Sequence, residues 1–186
     1  MILDNYLMFT GTSNGASGGI ALGPQTDRPT TGAQGSSNII DLHMLGIPLL
    51  AAGQGARDIG IGDDPAMKLL VVVTAAMTGG TSVTVALQGA PDNGSGAPGT
   101  FVTWWTSPAV LTASLTAGAR LYDMDMPRPP AGVVEPRFLQ ILFTSAGTFT
   151  GGSIEACIVL DRHDQFYNST ANNILGGYPP GIVIAN

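Results

Sequence analysis

Charge is scarce in this chain. Of its 186 residues only 11% are Asp, Glu, Lys or Arg, against roughly 25% in an average globular domain. The seven Lys and Arg stand singly from Arg28 to Arg162, with no adjacent pair and no basic stripe. Neutralising phosphates takes clustered cations, so no nucleic-acid partner is expected, and no anionic membrane surface either. Cysteine is limited to Cys157, which rules out an intrachain disulfide and the disulfide-stapled secreted class. Histidine is limited to His43 and His163, too few with one cysteine for the usual zinc patterns. The longest aliphatic run, Leu69–Val73, falls far short of the ~20 residues of a membrane helix. The opening Met1-Ile2-Leu3-Asp4 has neither a positive segment nor a long apolar one, so no secretory leader is expected.

What the chain has is small and apolar residues. Hydrophobic residues reach 44%, with 26 glycines and 13 prolines. Burial can therefore drive folding, and the turn residues fit many short strands. A surface so poor in charge must be Ser, Thr, Asn, Gly and Ala, a kind that associates readily.

The apolar periodicity is two. In Thr81–Gln88, Val83, Val85 and Leu87 alternate with Thr84, Ala86 and Gln88. In Leu121–Met126, Tyr122, Met124 and Met126 oppose Asp123 and Asp125. Met67–Ala76 is apolar throughout, as in a strand covered on both faces. Asn38–Met44, Arg57–Gly62, Phe101–Thr106, Arg137–Thr144 and Ser153–Leu160 complete the set. Thr78-Gly79-Gly80 reads as a hairpin turn between two of these strands, and Gly147 and Gly151-Gly152 as punctuation of the last pair. The single stretch with helical character is Ala109–Ala117. The expectation is an all-β, two-sheet sandwich or jelly roll of about eight strands over residues 38–160. Residues 1–37, dominated from Thr10 by Gly, Ser, Thr and Pro, read as an N-terminal arm or long loop packed on the sandwich or a partner. Residues 161–186 read as an extended tail with spaced apolar anchors.

Motifs that resemble catalytic ones lack their context. Gly15–Gly19 matches G-x-S-x-G around Ser17, but a nucleophile elbow needs a strand before it and a helix after it. Gly94–Gly99 matches G-x-G-x-x-G, but leads into the strand pattern of Phe101–Thr106 rather than a helix. Asp63-Asp64 and Asp123/Asp125 lack the further oxygens of a calcium loop. No enzyme, cofactor or metal is expected. A hydrolase would need Ser17 or a carboxylate pair to converge with His43 or His163. Trp104-Trp105 should point to opposite strand faces, one toward the core and one toward a surface or interface. With Tyr122 and Tyr178 they give the alternative of a carbohydrate-binding sandwich, which requires an exposed aromatic row.

Several segments, in order, resemble one family. They are Arg57-Asp58-Ile59-Gly60-Ile61-Gly62, Leu69–Thr74 leading into Val83–Gln88, Arg137–Ile141, Gly147–Ser153, and Cys157–Asp164 with Phe166-Tyr167. Across residues 38–167 the chain resembles the capsid cement proteins of tailed bacteriophages, the jelly-roll family typified by the Bordetella phage cement protein. The resemblance implies a structural virion protein without catalytic residues, made in the host cytoplasm. It implies a homo-oligomer, a dimer rather than a trimer, on the outer capsid surface, where the protein bridges capsomers and binds the major capsid protein. The candidate contacts for capsid or sister subunits are Arg57, Asp58, Trp104, Trp105, Arg162, His163, Phe166 and Tyr167.

Overall fold

The computed structural model describes residues 7–11, 27–42, 67–133 and 136–159, and the backbone of 165–168 and 173–176. In these residues the strands are β1 (Gly32–Gly35), β2 (Ile40–Asp41), β3 (Lys68–Gly79), β4 (Ser82–Ala90), β5 (Val102–Thr106), β6 (Val110–Leu111), β7 (Arg120–Asp125), β8 (Phe138–Ala146), β9 (Phe149–Val159), β10 (Gln165–Asn168) and β11 (Asn173–Gly176). They include no α-helix. One antiparallel sheet has the order β1-β8-β4-β5, with β2 also on β8 and β6 also on β4. The second has the order β7-β3-β9. The two pack face to face as a β-sandwich, so the expected class holds.

The alternation read in the sequence fills the space between the sheets. Leu69, Val71 and Val73 of β3 and Val83, Val85 and Leu87 of β4 are fully buried. They meet Ile141 and Phe143 of β8 and Ile154 and Ile158 of β9 in one cluster. On the other side of β3, Leu70 is buried with Met8, Cys157 and Val159. From Leu69 to Val73 both faces of β3 are thus covered, which is why this stretch does not alternate. Thr74, Ala75 and Ala76 are exposed, so the double cover expected over Met67–Ala76 ends at Val73.

The turn at Gly79–Gly80 corrects one expectation. β3 and β4 are not a hairpin in one sheet: β3 pairs with β7 and β9, whereas β4 pairs with β8, β5 and β6. The turn carries the chain from one sheet to the other. The β8–β9 turn at Gly147 does the same beside it. Pairing runs from Ala90↔Phe138 to Ser82↔Ala146, over the bend, and on from Gly79↔Phe149 to Lys68↔Val159. The sandwich core is therefore one antiparallel ribbon folded over itself, as in a jelly roll. Gly80 N–H donates to Thr148 O at 2.7 Å and Thr81 N–H to Ala146 O at 2.6 Å, so the two bends hold each other. Gly80 has φ +42° and Gly147 φ +76°. A Cβ on Gly80 would lie 2.5 Å from the ring of Phe149. Glycine is required there on both counts.

Other expectations change in detail. Gly151 and Gly152 lie inside β9, at irregularities in its pairing with β3, and are not a turn. Ala109–Ala117 is not helical: Val110 and Leu111 form β6 and only Thr112–Ser114 makes a 3₁₀ turn. Tertiary contacts override the weak propensity. Thr112 N–H donates to Thr81 O, Met77 N–H donates to Leu115 O, and Leu115 plugs the core at the bend. Of the Asn38–Met44 strand, the described residues 38–42 form only β2 at Ile40–Asp41, and His43 and Met44 lie outside the described residues. Residues 161–186, read as an extended tail, contain the hairpin β10–β11.

Within the stretch read as an arm or long loop, Gly32–Gly35 becomes β1 by pairing with the edge of β8. Met8 and Asp27 bridge to Cys157 and Ile154 on the edge of β9. Asp27 ties these pieces together. Its carboxylate accepts from Ser37 N–H at 2.7 Å, from Gly11 N–H at 3.3 Å and from the Ser37 hydroxyl. A low-complexity segment gains order here by borrowing partners from the finished sheets.

Candidate functional site

The sequence-predicted contact residues fall into three groups. Arg57, Asp58, Arg162 and His163 lie outside the described residues, as do Ser17, His43 and Asp63-Asp64. Phe166 and Tyr167 sit on β10, in register with Leu175 and Ile174. Trp104 and Trp105 sit on β5, and their arrangement corrects the expectation.

A β-bulge decides it. Leu87 pairs with Trp105 but Gln88 pairs with Thr103, leaving Trp104 as the extra residue. Both indoles, half-buried, therefore pack against the same core cluster rather than on opposite faces. Trp104 lies where a side chain on residue 89 would be, since a Cβ on Gly89 would come within 2.3 Å of its ring. Its indole N–H is buried without an acceptor among the described residues, a cost of about 1–3 kcal/mol that ring burial must offset. Trp105 meets Tyr122 of β7 edge-to-face, with centroids 4.8 Å apart and planes at 76°. This pair joins the edge strands of the two sheets, so these three aromatics form no exposed row. Trp105→Ala is expected to lower unfolding stability by about 2 kcal/mol, less than for a fully buried tryptophan. Denaturant unfolding followed by circular dichroism measures it.

The other motifs take structural roles. Gly94–Gly99 lies in a loop that leads into β5, with no helix for a pyrophosphate to meet. Asp125 pairs with Lys68 at 3.0 Å. Cys157 is buried on β9. No group of three or more His, Cys, Asp or Glu able to hold a metal occurs among the described residues. Burial pushes the Glu155 carboxyl up from its ordinary pKa.

Charge is segregated along the sandwich. At the end away from the bends, Arg137 grips Asp41 with two bonds of 2.9 Å, contacts Asp92 and lies 4.8 Å over the Phe138 ring. Lys68 and Asp125 sit at the same end, where β3 begins and β7 stops. At the other end are the two bends, β6 and the 3₁₀ turn. Their segments 74–82, 106–118 and 144–153 contain no ionisable side chain. Thr81, Ala113, Thr116 and Thr148 are exposed there, and Leu111 is 61% exposed. Arg28 stands at the margin, its guanidinium donating to Thr150 O at 3.4 Å, and Arg120 and Glu155 follow two residues beyond these segments.

The outer face of the larger sheet continues this character. Thr84, Gln88, Gln140, Leu142 and Thr144 lie along it, and a side-chain chain runs from Gln140 to Gln88 at 2.8 Å and on to Thr103 at 3.0 Å. A surface without ions can be dehydrated without the large penalty of burying charge. Protein interfaces are depleted of charge at their centres for this reason.

None of these tip residues is among the contact residues expected from the sequence, although the sequence carries a signal for them. The runs 69–91, 93–119 and 138–154 carry no charge at all. Only the fold shows that their turns converge on one end.

The Bbp16 family model matches residues 28–158, which is β1 through nearly all of β9. The chain belongs to the Bbp16 family. This is a Bordetella phage protein family, and the Bbp16 match is consistent with a phage structural protein. The Bbp16 region takes in the folded ribbon, the uncharged tip and the Arg137 cluster. The chain's first 27 residues and the β10–β11 hairpin lie outside it. No curated protein matches the chain.

Proposed function

We propose that this Bbp16-family chain is a structural virion protein that binds the outer surface of an icosahedral phage capsid and bridges neighbouring capsomers. The observation that carries this reading is the uncharged tip with Leu111 exposed at its surface. Family membership supports the phage context, and a rigid β-sandwich suits a part that transmits load between capsomers. The formal net charge of −6 favours the outer face, because the inner face meets DNA. On this reading the protein acts as a homo-oligomer, a dimer, with the major capsid protein as its partner. Each contact can be weak, because a lattice of sites gives avidity through effective concentration.

Co-sedimentation of the purified protein with expanded capsids lacking it tests this reading. The parent is expected to bind and to raise the capsid melting temperature. Leu111→Asp places an unpaired charge in the contact and should cut capsid-bound protein at least about tenfold. Its own melting should stay unchanged, because the side chain is exposed. A parent that ignores capsids overturns the reading. A variant that binds as well as the parent removes the tip as the contact.

A further inference from the structure

The loop between β4 and β5 holds an Asn93-Gly94 pair in an unusual setting. Asn93 N–H donates to Ala97 O at 2.9 Å and Gly99 N–H to Pro91 O at 2.8 Å, so the loop is closed at both levels. Gly94 is exposed, has φ +90°, and has nothing within 4 Å of where a Cβ would be. Its N–H donates to Asp92 Oδ1 at 2.7 Å. The side-chain carbonyl oxygen of Asn93 accepts two bonds from Ser95, from its N–H at 2.9 Å and from its hydroxyl at 2.7 Å.

We propose that Asn93 is a modification site: the loop promotes its own deamidation at Asn93-Gly94. The Gly94 nitrogen attacks Asn93 Cγ and a new N–C bond forms. The Gly94 N–H proton passes by way of Asp92 to the former amide nitrogen, the Cγ–N bond breaks, and that nitrogen departs as ammonia. The resulting succinimide ring is opened by one water at either carbonyl, giving aspartate or isoaspartate. The balance is asparagine plus water to aspartyl product plus ammonia, with no oxidant or reductant.

The geometry addresses each demand of this reaction. Glycine at position 94 offers no side chain to hinder the attacking nitrogen or the incoming water. Asp92 is an acceptor aimed at the proton that must leave. Its other oxygen meets Arg137, and the Gly96 and Gly94 N–H groups hold its pKa below the ordinary carboxylate value, so it is ionised at neutral pH. The two Ser95 donors sit on the oxygen that becomes negative as Cγ turns tetrahedral, which is how an oxyanion hole works. The two loop closures restrict the backbone around Asn93 and Gly94. The product adds a negative charge beside Asp92, at the end opposite the tip, where a docked protein would still expose it.

Peptide mapping by mass spectrometry tests the proposal on the full-length protein, incubated at neutral pH and physiological temperature. The peptide containing Asn93 should gain one mass unit, and two more in heavy-oxygen water. Conversion should run at least about threefold faster than in a synthetic peptide of residues 91–99, and Ser95→Ala, which removes the hydroxyl donor and keeps the N–H donor, should convert at least about twofold more slowly than the parent. Denaturant should bring the parent to the peptide's rate. A native rate equal to or below the peptide's overturns the proposal, as does a Ser95→Ala protein that converts like the parent.

Discussion

A Gly80→Val protein is expected to be about 3–5 kcal/mol less stable than the parent, enough to leave part of it unfolded under ordinary conditions. Two costs add. The backbone at Gly80 has φ +42°, which a β-branched residue adopts only under strain. The new Cβ would also lie 2.5 Å from the ring of Phe149, a side chain buried in the core. That ring cannot swing into solvent, so the bend itself must open. Opening it threatens the bonds from Gly80 to Thr148 and from Thr81 to Ala146, and so the second bend as well. Thermal melting of the variant checks this. A variant that melts within a degree or two of the parent would mean that the bends are not locked together.

Arg137→Met should cost about 2–3 kcal/mol, although methionine keeps much of the apolar stem. The guanidinium is the shared partner of Asp41 and Asp92, and the side chains of Arg137 and Asp41 are each only 19% exposed. Removing it leaves the Asp41 carboxylate half-buried without its two-bond partner and takes the cation from the Phe138 ring. The loss falls on the junction of β2, β8 and the β4–β5 loop. Urea unfolding of parent and variant at neutral pH measures it. Acid should narrow the difference. The Asp92 carboxyl sits below its ordinary pKa, held there by the Gly96 N–H, the Gly94 N–H and Arg137. Its contribution is thus present at neutral pH and is lost as pH falls through that depressed value. A difference constant from neutral to acid pH would place the cost elsewhere than in these ion pairs.

The sandwich was legible in the sequence because its core obeys the period-two rule. Val83, Val85 and Leu87 point inward as their spacing requires, and the apolar run Leu69–Val73 matches a strand covered on both sides. Partner choice was not legible. A turn such as Thr78-Gly79-Gly80 looks the same whether the strands it joins pair with each other or part for different sheets. Trp104 and Trp105 share a side because of a bulge, and a bulge is set by the partner strand's register. Gly32–Gly35 has no strand propensity of its own and becomes one because β8 offers an edge. Of the predicted contact residues, only the two tryptophans have described side chains, and both pack on the core. The uncharged tip was invisible for another reason. It is assembled from three segments far apart in the chain, each unremarkable alone.

The folded ribbon also sets the order in which the chain can acquire structure. Ala90 must find Phe138, and Lys68 must find Val159, so neither half of the ribbon has its partner until the other half exists. Such remote pairing makes folding slow. During synthesis, residues 91–137 separate β4 from β8, a wait of roughly 2–10 s at typical translation speeds. Throughout it, the run 69–91 stands as β-prone chain without one repelling charge. The same absence of charge that would let a finished molecule dock without burying ions makes the nascent one adhesive, so its yield depends on how fast β8 and β9 arrive.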